Sequence, residues 1–449
     1  MREKWEKDLA DVTREFKKHS KNYLFHLEKQ GVKRKQVGRF DIPLGFTDRN
    51  GNGELIKIRY DGKPKCMLVS GGNPSRGIGK SRMLELIGMD NFCMRFGVKT
   101  LMIDPKHELS THTQPHTQFA QIFDKIGLKP QGVENLVTLT PSPLMKKGFD
   151  DQSIEYALDS SDLTYADLVT ILNIDGSGGE AARSQLQMLL YGGNTKDIVN
   201  ANWEELKEKK LPSINKLLQK AMEASSRAPM DSRLIRELIN AKQRGALQPN
   251  KFESIPELMG EGKNVILQTS LQSDDKDMDT AAYISHALRS VAEDRVDYVN
   301  SGGKIGHISK PILCYIDEFN IPYPKDKHPS SKDIINKIYN QMRFAGVSII
   351  AAAPSFLDID PLAIRQSENI FTFRVTDIKE RALLYRRVGK DEHKMRILER
   401  LNYNPNLHPR GECAWIDAMG NIETFYPLQP LSLPQYEETT FGKISEGFE

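Results

Sequence analysis

The sequence predicts an α/β protein: a mainly parallel sheet flanked by helices, with a helical insertion and a basic N-terminal helix. Three observations predict it. Short apolar runs alternate with amphipathic stretches along most of the chain, the pattern of strands joined by crossover helices. One stretch, Leu68–Ile87 (LVSGGNPSRGIGKSRMLELI), reads as a strand, a Gly-rich turn ending in GKS, and a helix. Another, Pro311–Asn320 (PILCYIDEFN), reads as a buried strand ending in two adjacent carboxylates, Asp317 and Glu318.

The elements follow in order. Residues 2–30 set Trp5, Leu9, Val12, Phe16, Tyr23 and Leu27 in helical phase. Residues 1–39 carry 12 Lys/Arg against 6 Asp/Glu, a balance of +6 that leaves −3 for the rest of a chain whose total is +3. Such an arm suits contact with a polyanion, and it equally suits a solvated amphipathic helix; the KRK run at Lys33–Lys35 does not decide between them. Ile42–Phe46 and Glu54–Tyr60 flank the turn-rich DRNGNG and predict a hairpin. KCMLVSGG, beginning at Lys65, is the first core strand, SRMLELIGMDNFCMRFG its helix, and VKTLMIDP a second strand ending in Asp104.

Residues 112–254 read as a mostly helical block, because YALDSSDLTYADLVTILNI, ARSQLQMLLYG and SINKLLQKAMEASS space their apolar residues by three and four. The break at GSGGE (Gly176–Glu180) divides it. The strand pattern resumes with KNVILQTSL, followed by the helix AAYISHALRSVAEDRVDYV and the strands PILCYIDEF, GVSIIAAAP and ENIFTFRV. GECAWIDAMGNIETFYPL predicts a closing hairpin, before a Pro-rich coil. The division predicted is an arm over 1–39, a core over 40–111 and 255–430, a helical insertion over 112–254 and a tail over 431–449.

Bulk properties narrow the class. With 449 residues, 39% hydrophobic and 27% charged, the composition is that of a soluble globular protein with room for a full core. No run approaches the ~18–20 apolar residues of a membrane span, and MREKWEKDLADV lacks the apolar centre of a secretory signal. Cys66, Cys93, Cys314 and Cys413 lie far apart without a CxxC, so they read as reduced packing residues of a cytoplasmic protein. His307 and His328 have no metal-ligand partners at useful spacing. No nucleophile–His–acid signature and no nuclease carboxylate cluster is present.

The Gly-rich turn and the acidic pair together predict a nucleoside triphosphate site. Backbone N–H groups of such a turn cradle phosphate at the positive end of the following helix. Gly77 and Gly79 permit the close approach, Lys80 would reach the β- and γ-phosphates, and the Ser81 hydroxyl would ligate Mg²⁺. Arg82 is grouped with the nucleotide-binding residues. Asp317 would hold the Mg²⁺ through water, and Glu318 would polarise the attacking water. The match to GxxxxGK[ST] departs at Pro74, where a glycine is expected, and Arg76 within the loop is unusual. The implied core is a P-loop NTPase of RecA-like type, with ATP and Mg²⁺ as its cofactors.

The order of these pieces resembles the HerA/FtsK superfamily of DNA-pumping ATPases, the HerA branch and the conjugative coupling ATPases above all. The resemblance spans roughly residues 40–430. It rests on IPLGF, IDPKHELS (Ile103–Ser110), MGEGKNVILQTSL, YIDEFNIPYP, NQMRFAGVSIIAAAPSFLDIDPLAIRQSENIFTFRV and LHPRGECAWI in that order. It implies an ATP-driven translocase of double-stranded DNA working as a homo-oligomeric ring, a hexamer in the family. The role implied is DNA processing with a nuclease, conjugative transfer or viral genome packaging.

The resemblance also implies residue roles. Arg343 and Arg374 are candidates for an arginine finger acting on a neighbouring subunit's γ-phosphate, with Arg386 and Arg387 behind them; surface salt bridges are the alternative for each. Asp104 and Glu108 would order water or couple to the neighbour, or else cap a strand end. Lys325, Lys327 and Lys332 on the Pro322–Lys332 loop, and Lys304 and Lys310 on a second loop, are candidate DNA contacts or ordinary surface lysines. The family's sensor strand ends in a glutamine that this chain lacks; Ser355, after Ala351–Ala353 and Pro354, would take its place. A protein-remodelling or secretion ATPase on the same core, and a non-hydrolysing nucleotide-binding scaffold, are the competing readings.

Overall fold

The computed structural model describes residues 37–49, 51, 53–63, 65–71, 79–117, 120–145, 153–158, 163–174, 178–191, 211–226, 231–244, 254–269, 274–403 and 411–432. Residues 1–36 of the basic arm, with the KRK run, and Pro74, Arg76, Gly77 and residues 433–449 lie outside them.

The strands are β1 (Asp41–Phe46), β2 (Leu55–Arg59), β3 (Met67–Ser70), β4 (Lys99–Asp104), β5 (Leu136–Pro141), β6 (Ile154–Tyr156), β7 (Asn264–Gln268), β8 (Ile312–Ile316), β9 (Val347–Ala352), β10 (Asn369–Thr372), β11 (Cys413–Ile416) and β12 (Ile422–Pro427). They form one 12-stranded sheet in the order β2-β1-β12-β11-β10-β3-β9-β8-β4-β7-β5-β6. From β10 to β6 every neighbouring pair is parallel. The strands from β11 to β2 extend the sheet antiparallel. The two hairpins expected at opposite ends of the chain therefore meet in one extension, because β1 pairs with β12.

Parallel strands need crossovers, and the crossing helices cover both faces. NVILQ, ILCYI and VSIIAA are accordingly buried along their whole length. Alternate side chains of β8 feed two cores. Ile312, Cys314 and Ile316 pack with Leu288 and Val291 of the helix Asp274–Asn300 and with Ile334 and Ile335 of the helix Ser330–Lys337. Leu313 and Tyr315 pack on the opposite face with Met83, Ile87 and Met89. All four cysteines are buried and unpaired, as the spacing predicted.

One expectation needs correcting. The block over 112–254 is not helical throughout: after the helix Ala120–Lys125, β5 and β6 continue the parallel sheet beyond β7. LVTLTP is only half buried and IEY is a three-residue strand at the sheet edge, so neither shows the continuous buried apolar run of a central strand. Helices follow from Tyr165 onward, including Ile214–Ser225 and Ser232–Arg244.

The helix after β3 begins at Lys80 and passes at Leu86 into wider π-helical turns that end at Arg95. Gly88 is where it meets the sheet. A Cβ there would stand 2.6 Å from Cδ2 of the fully buried Tyr315 ring. A glycine at 88 thus sets how closely this helix approaches β8. The far side of the helix grips the C-terminal segment. Buried Asp90 accepts hydrogen bonds from the Leu431 amide (2.6 Å) and the Ser432 hydroxyl (3.3 Å), while His112 Nδ1 lies 2.6 Å from that hydroxyl. Burial raises the Asp90 carboxyl well above the usual carboxylate range.

Gly88→Ala is expected to destabilise the protein by about 1–3 kcal/mol through overpacking against Tyr315. The urea unfolding midpoint measures this, and an unchanged midpoint contradicts it.

Candidate active site

Because β10, β3, β9, β8 and β4 run parallel and adjacent, the loops that leave their C-terminal ends open on one edge of the sheet. That edge collects Gly71 and Gly79, which flank the Gly-rich turn after β3, the acidic pair after β8, the Asp104 loop after β4, Ser355 after β9 and Arg374 after β10. Gly79 caps the helix with φ 112°, a conformation open to glycine, so the chain turns into the helix at Lys80. Gly71 closes the other end of the turn with φ 99°, where a Cβ would stand 2.4 Å from Thr372 Oγ1.

The Ser81 hydroxyl donates to Asp317 Oδ2 at 3.3 Å, across 236 residues of sequence. Glu318, beside it, has φ 51°, a left-handed backbone that costs a non-glycine residue about 1–2 kcal/mol. The strain is held by its neighbours: Asp317 Oδ1 accepts the Glu318 amide at 3.0 Å, and fully buried Phe319 donates its amide to Ala352 at 2.7 Å. Burial keeps the Lys80 ammonium below its ordinary value; Glu318 and Asp317 pull it back and Lys106 adds to the depression.

Lys106 is the group that sequence reasoning missed. Its ammonium lies 2.8 Å from Asp317 Oδ2, 2.9 Å from Glu318 Oε1 and 3.4 Å from Ser81 Oγ. Burial opposes its charge, but the two carboxylates more than offset this and hold it well above the usual lysine range. The signal was present in IDPKHELS, where the lysine follows the strand-end Asp-Pro, but no spacing rule ties position 106 to position 317. The site therefore fits a cation: a hydroxyl and carboxylate oxygens of the kind Mg²⁺ prefers converge on one point, and an ammonium stands there.

The other expected residues divide. Asp104 is a cap. Oδ1 accepts the amides of Lys106 and Glu108 at 3.2 Å each, and Oδ2 accepts the Leu109 amide at 2.9 Å, so its carboxylate is spent on its own loop rather than on water. His107 (φ 60°) pins the same loop, its Nε2–H donating to the Thr269 carbonyl at 2.6 Å. Glu108 does reach the site's field: burial pushes its carboxyl up to about 7, with Lys106 opposing and Glu85, Asp317 and Asp104 adding. Arg82 donates to Gln429 Oε1 and clamps the C-terminal segment to the helix, in place of the expected nucleotide contact. Ser355 is buried and committed, donating to Glu380 Oε1 (2.5 Å) and accepting the Leu357 amide (3.0 Å), so its hydroxyl does not fill the role of the missing glutamine. Glu380, from the helix Ile378–Arg387, is close enough for its charge to act on Lys80.

The arginines separate by edge. Arg343 precedes β9 and pairs with Glu368, which precedes β10, so it lies at the edge away from the phosphate turn. Arg387 donates to the Ser367 and Glu368 carbonyls at 2.8 and 3.0 Å, at that same far edge. Arg374 leaves β10 on the site's edge with an exposed side chain, its Nε donating to the Glu399 carbonyl at 3.1 Å. Arg386 is exposed.

The candidate DNA lysines also divide. Lys304 and Lys310 precede β8 and Lys325 and Lys327 follow it, so the two pairs lie toward opposite edges. Lys332 is buried and structural, a correction to its expected role. Its ammonium pairs with Asp360 Oδ2 at 2.8 Å and donates to the Pro324 carbonyl at 2.9 Å, tying its own loop to the segment after β9.

Comparison with known structures bears on the fold. The fold matches the structure of VirB4 of Thermoanaerobacter pseudethanolicus, with a TM-score of 0.53 at 13% identity, over 90% of this chain and 99% of that one. The likeness shows the fold, that of a P-loop NTPase: a mostly parallel sheet flanked by helices. Weaker likenesses are to the bacterial conjugative coupling protein TrwBdeltaN70 (TM-score 0.42, 13% identity, 83% of this chain and 81% of that one). The genome packaging NTPase B204 from Sulfolobus turreted icosahedral virus 2, in complex with AMP, gives 0.34 at 8% identity, over 81% and 98%. At those scores they add nothing to the fold assignment. No family model and no curated protein sequence matches the chain. Among the described residues, no helix of this P-loop NTPase fold is long and apolar enough to cross a membrane.

Two outcomes follow from this geometry. Lys332→Ala is expected to cost about 2–3 kcal/mol in denaturant unfolding, the loss of one partner of a buried pair reduced by the partial exposure of Asp360; Lys325→Ala, an exposed residue, leaves the unfolding curve unmoved. Glu108 binds its proton more tightly folded than unfolded, so its contribution to stability falls as pH rises from about 4.5 to about 7. Melting temperatures of Glu108→Gln and wild type are therefore expected to agree below that window, and the variant to melt higher above it.

Proposed function

We propose that the chain binds and hydrolyses ATP with Mg²⁺ and uses the energy to translocate DNA. The observation that carries this reading is the convergence of Lys80, Ser81, Asp317 and Glu318 at one edge of the parallel sheet. In this reading Lys80 and the backbone of the turn bind the β- and γ-phosphates. Ser81 and Asp317 hold Mg²⁺, whose role is to neutralise charge on the phosphate oxygens. Glu318 orients and deprotonates the attacking water, its strained backbone aiming the carboxylate into the site. Asp317 and Ser81 are already in mutual contact, so little rearrangement is needed to present both to a metal.

Arg374 is the better of the two finger candidates, because its exposed side chain leaves the sheet on the nucleotide edge; a neighbouring copy in a ring would receive it. We assign DNA contact to Lys325 and Lys327. Their loop starts just beyond Asp317 and Glu318, and Lys332 anchors its far end. A change at the acidic pair is thereby passed to exposed lysines through a loop held at both ends. The cytoplasm, a homo-hexamer and double-stranded DNA complete this reading, which rests on the resemblance to HerA/FtsK ATPases. The non-hydrolysing alternative has one observation in its favour: Ser355 is occupied by Glu380, so β9 offers no free sensor side chain.

Turnover decides between them. Lys80→Ala is expected to abolish nucleotide binding, and Glu318→Gln to keep binding while hydrolysis falls about 10²–10⁴-fold. Duplex DNA is expected to stimulate wild-type hydrolysis, with the stimulation lost as salt rises. Lys325→Ala combined with Lys327→Ala removes the stimulation and keeps the basal rate. Equal hydrolysis by wild type, Lys80→Ala and Glu318→Gln rules the enzyme out; DNA-independent turnover rules out the translocase.

A further inference from the structure

Lys106 has no place in the P-loop chemistry just described, yet its ammonium makes the closest contacts to the acidic pair. The three oxygens it touches, Asp317 Oδ2, Glu318 Oε1 and Ser81 Oγ, are those assigned to the metal and the attacking water. The ammonium and a divalent cation cannot share that point. A Mg²⁺ ion takes its oxygens at about 2.0–2.1 Å in a near-ideal octahedron and tolerates no second cation among them.

The backbone that carries Lys106 is fixed. Asp104 accepts the amides of residues 106, 108 and 109, and His107 is tied to Thr269. What can move is the four-carbon side chain, whose ammonium is a flexible point charge.

We propose that Lys106 is a built-in counter-cation: without nucleotide its ammonium occupies the divalent-cation position between Ser81, Asp317 and Glu318, and metal with nucleotide must displace it to complete the site. This rests on the nucleotide-site reading above. The displaced ammonium remains close enough to Lys80 for the two charges to act on each other, so a triphosphate held by Lys80 offers it a new anionic partner. A metal ion alone offers none. Metal and nucleotide should therefore bind as a coupled pair, each strengthening the other, and the coupling should run through Lys106. The device also keeps two adjacent carboxylates compensated while the site is empty.

The test is Mn²⁺ binding to the full chain without nucleotide, followed by electron paramagnetic resonance. A fluorescent ADP analogue is titrated in parallel, with and without Mg²⁺. Lys106→Gln is expected to bind Mn²⁺ alone at least ten-fold more tightly than wild type, and Lys106→Arg, which keeps the charge, to bind it as weakly as wild type. If Lys106→Gln melts early without metal, Mn²⁺ at a concentration that leaves the wild-type melting temperature unmoved should restore it. A folded Lys106→Gln that binds the analogue but takes up Mn²⁺ no more tightly than wild type overturns the role of Lys106 alone. An early-melting variant that Mn²⁺ fails to restore does the same. Wild type that binds no analogue, with or without Mg²⁺, overturns the nucleotide site and this inference together.

Discussion

Two carboxylates side by side at the end of a buried strand are the constraint around which this site is arranged. Asp317 and Glu318 leave β8 at the point where both faces of the sheet are still covered. Uncompensated negative charge there would be costly. The compensation comes from two separate segments: Lys80 and Ser81 from the first turn of the helix after β3, and Lys106 from the loop after β4. Each segment is held by interactions that do not involve the carboxylates. Gly79 turns the helix toward them, Asp104 freezes the lysine loop, and Gly88 lets the helix settle against Tyr315. The acidic pair thus meets an array already in position, the condition for electrostatic work without reorganisation.

The strand order explains why so much chemistry meets on one edge. β9 lies between β3 and β8, and β4 lies beyond β8, so four loops from distant parts of the sequence leave the same side of the sheet. The same rule places other candidates elsewhere. Arg343, Lys304 and Lys310 precede strands and belong to the opposite edge, whereas Arg374, Lys325 and Lys327 follow strands. Direction along a parallel strand is therefore a stronger guide to a residue's role than its charge or its nearness to a motif in sequence. Lys332 makes the same point differently: a lysine in the first turn of the helix Ser330–Lys337, spent on Asp360 and a backbone carbonyl in the interior.

Much of the fold was legible because the physical signals were local. Fully buried parallel strands must be continuous apolar runs, and ILCYI and VSIIAA are such runs. The GKS triplet after a strand and the acidic pair after another suggested one shared site, and the structure brings Ser81 and Asp317 into contact. What was not legible depended on partners far away in sequence. β5 pairs with β7 and β6 only with β5, at the edge, and neither is buried along its whole length, so no continuous apolar run marked them. Asp104, Arg82 and Ser355 carry side chains suited to a nucleotide site, but each found a nearer protein partner in the folded chain.

The sequence alone determined that this chain folds as an α/β protein with a Gly-rich turn before a helix and an acidic strand end, because apolar period and turn chemistry are properties of neighbouring residues. Only the tertiary structure decided which polar groups are free for chemistry and which are consumed in holding the fold. It also decided that an unremarked lysine at position 106 stands between Asp317 and Glu318. The physical reason is that a hydrogen bond or ion pair is a matter of proximity in space, and proximity across hundreds of residues is set by strand order, which no local pattern encodes.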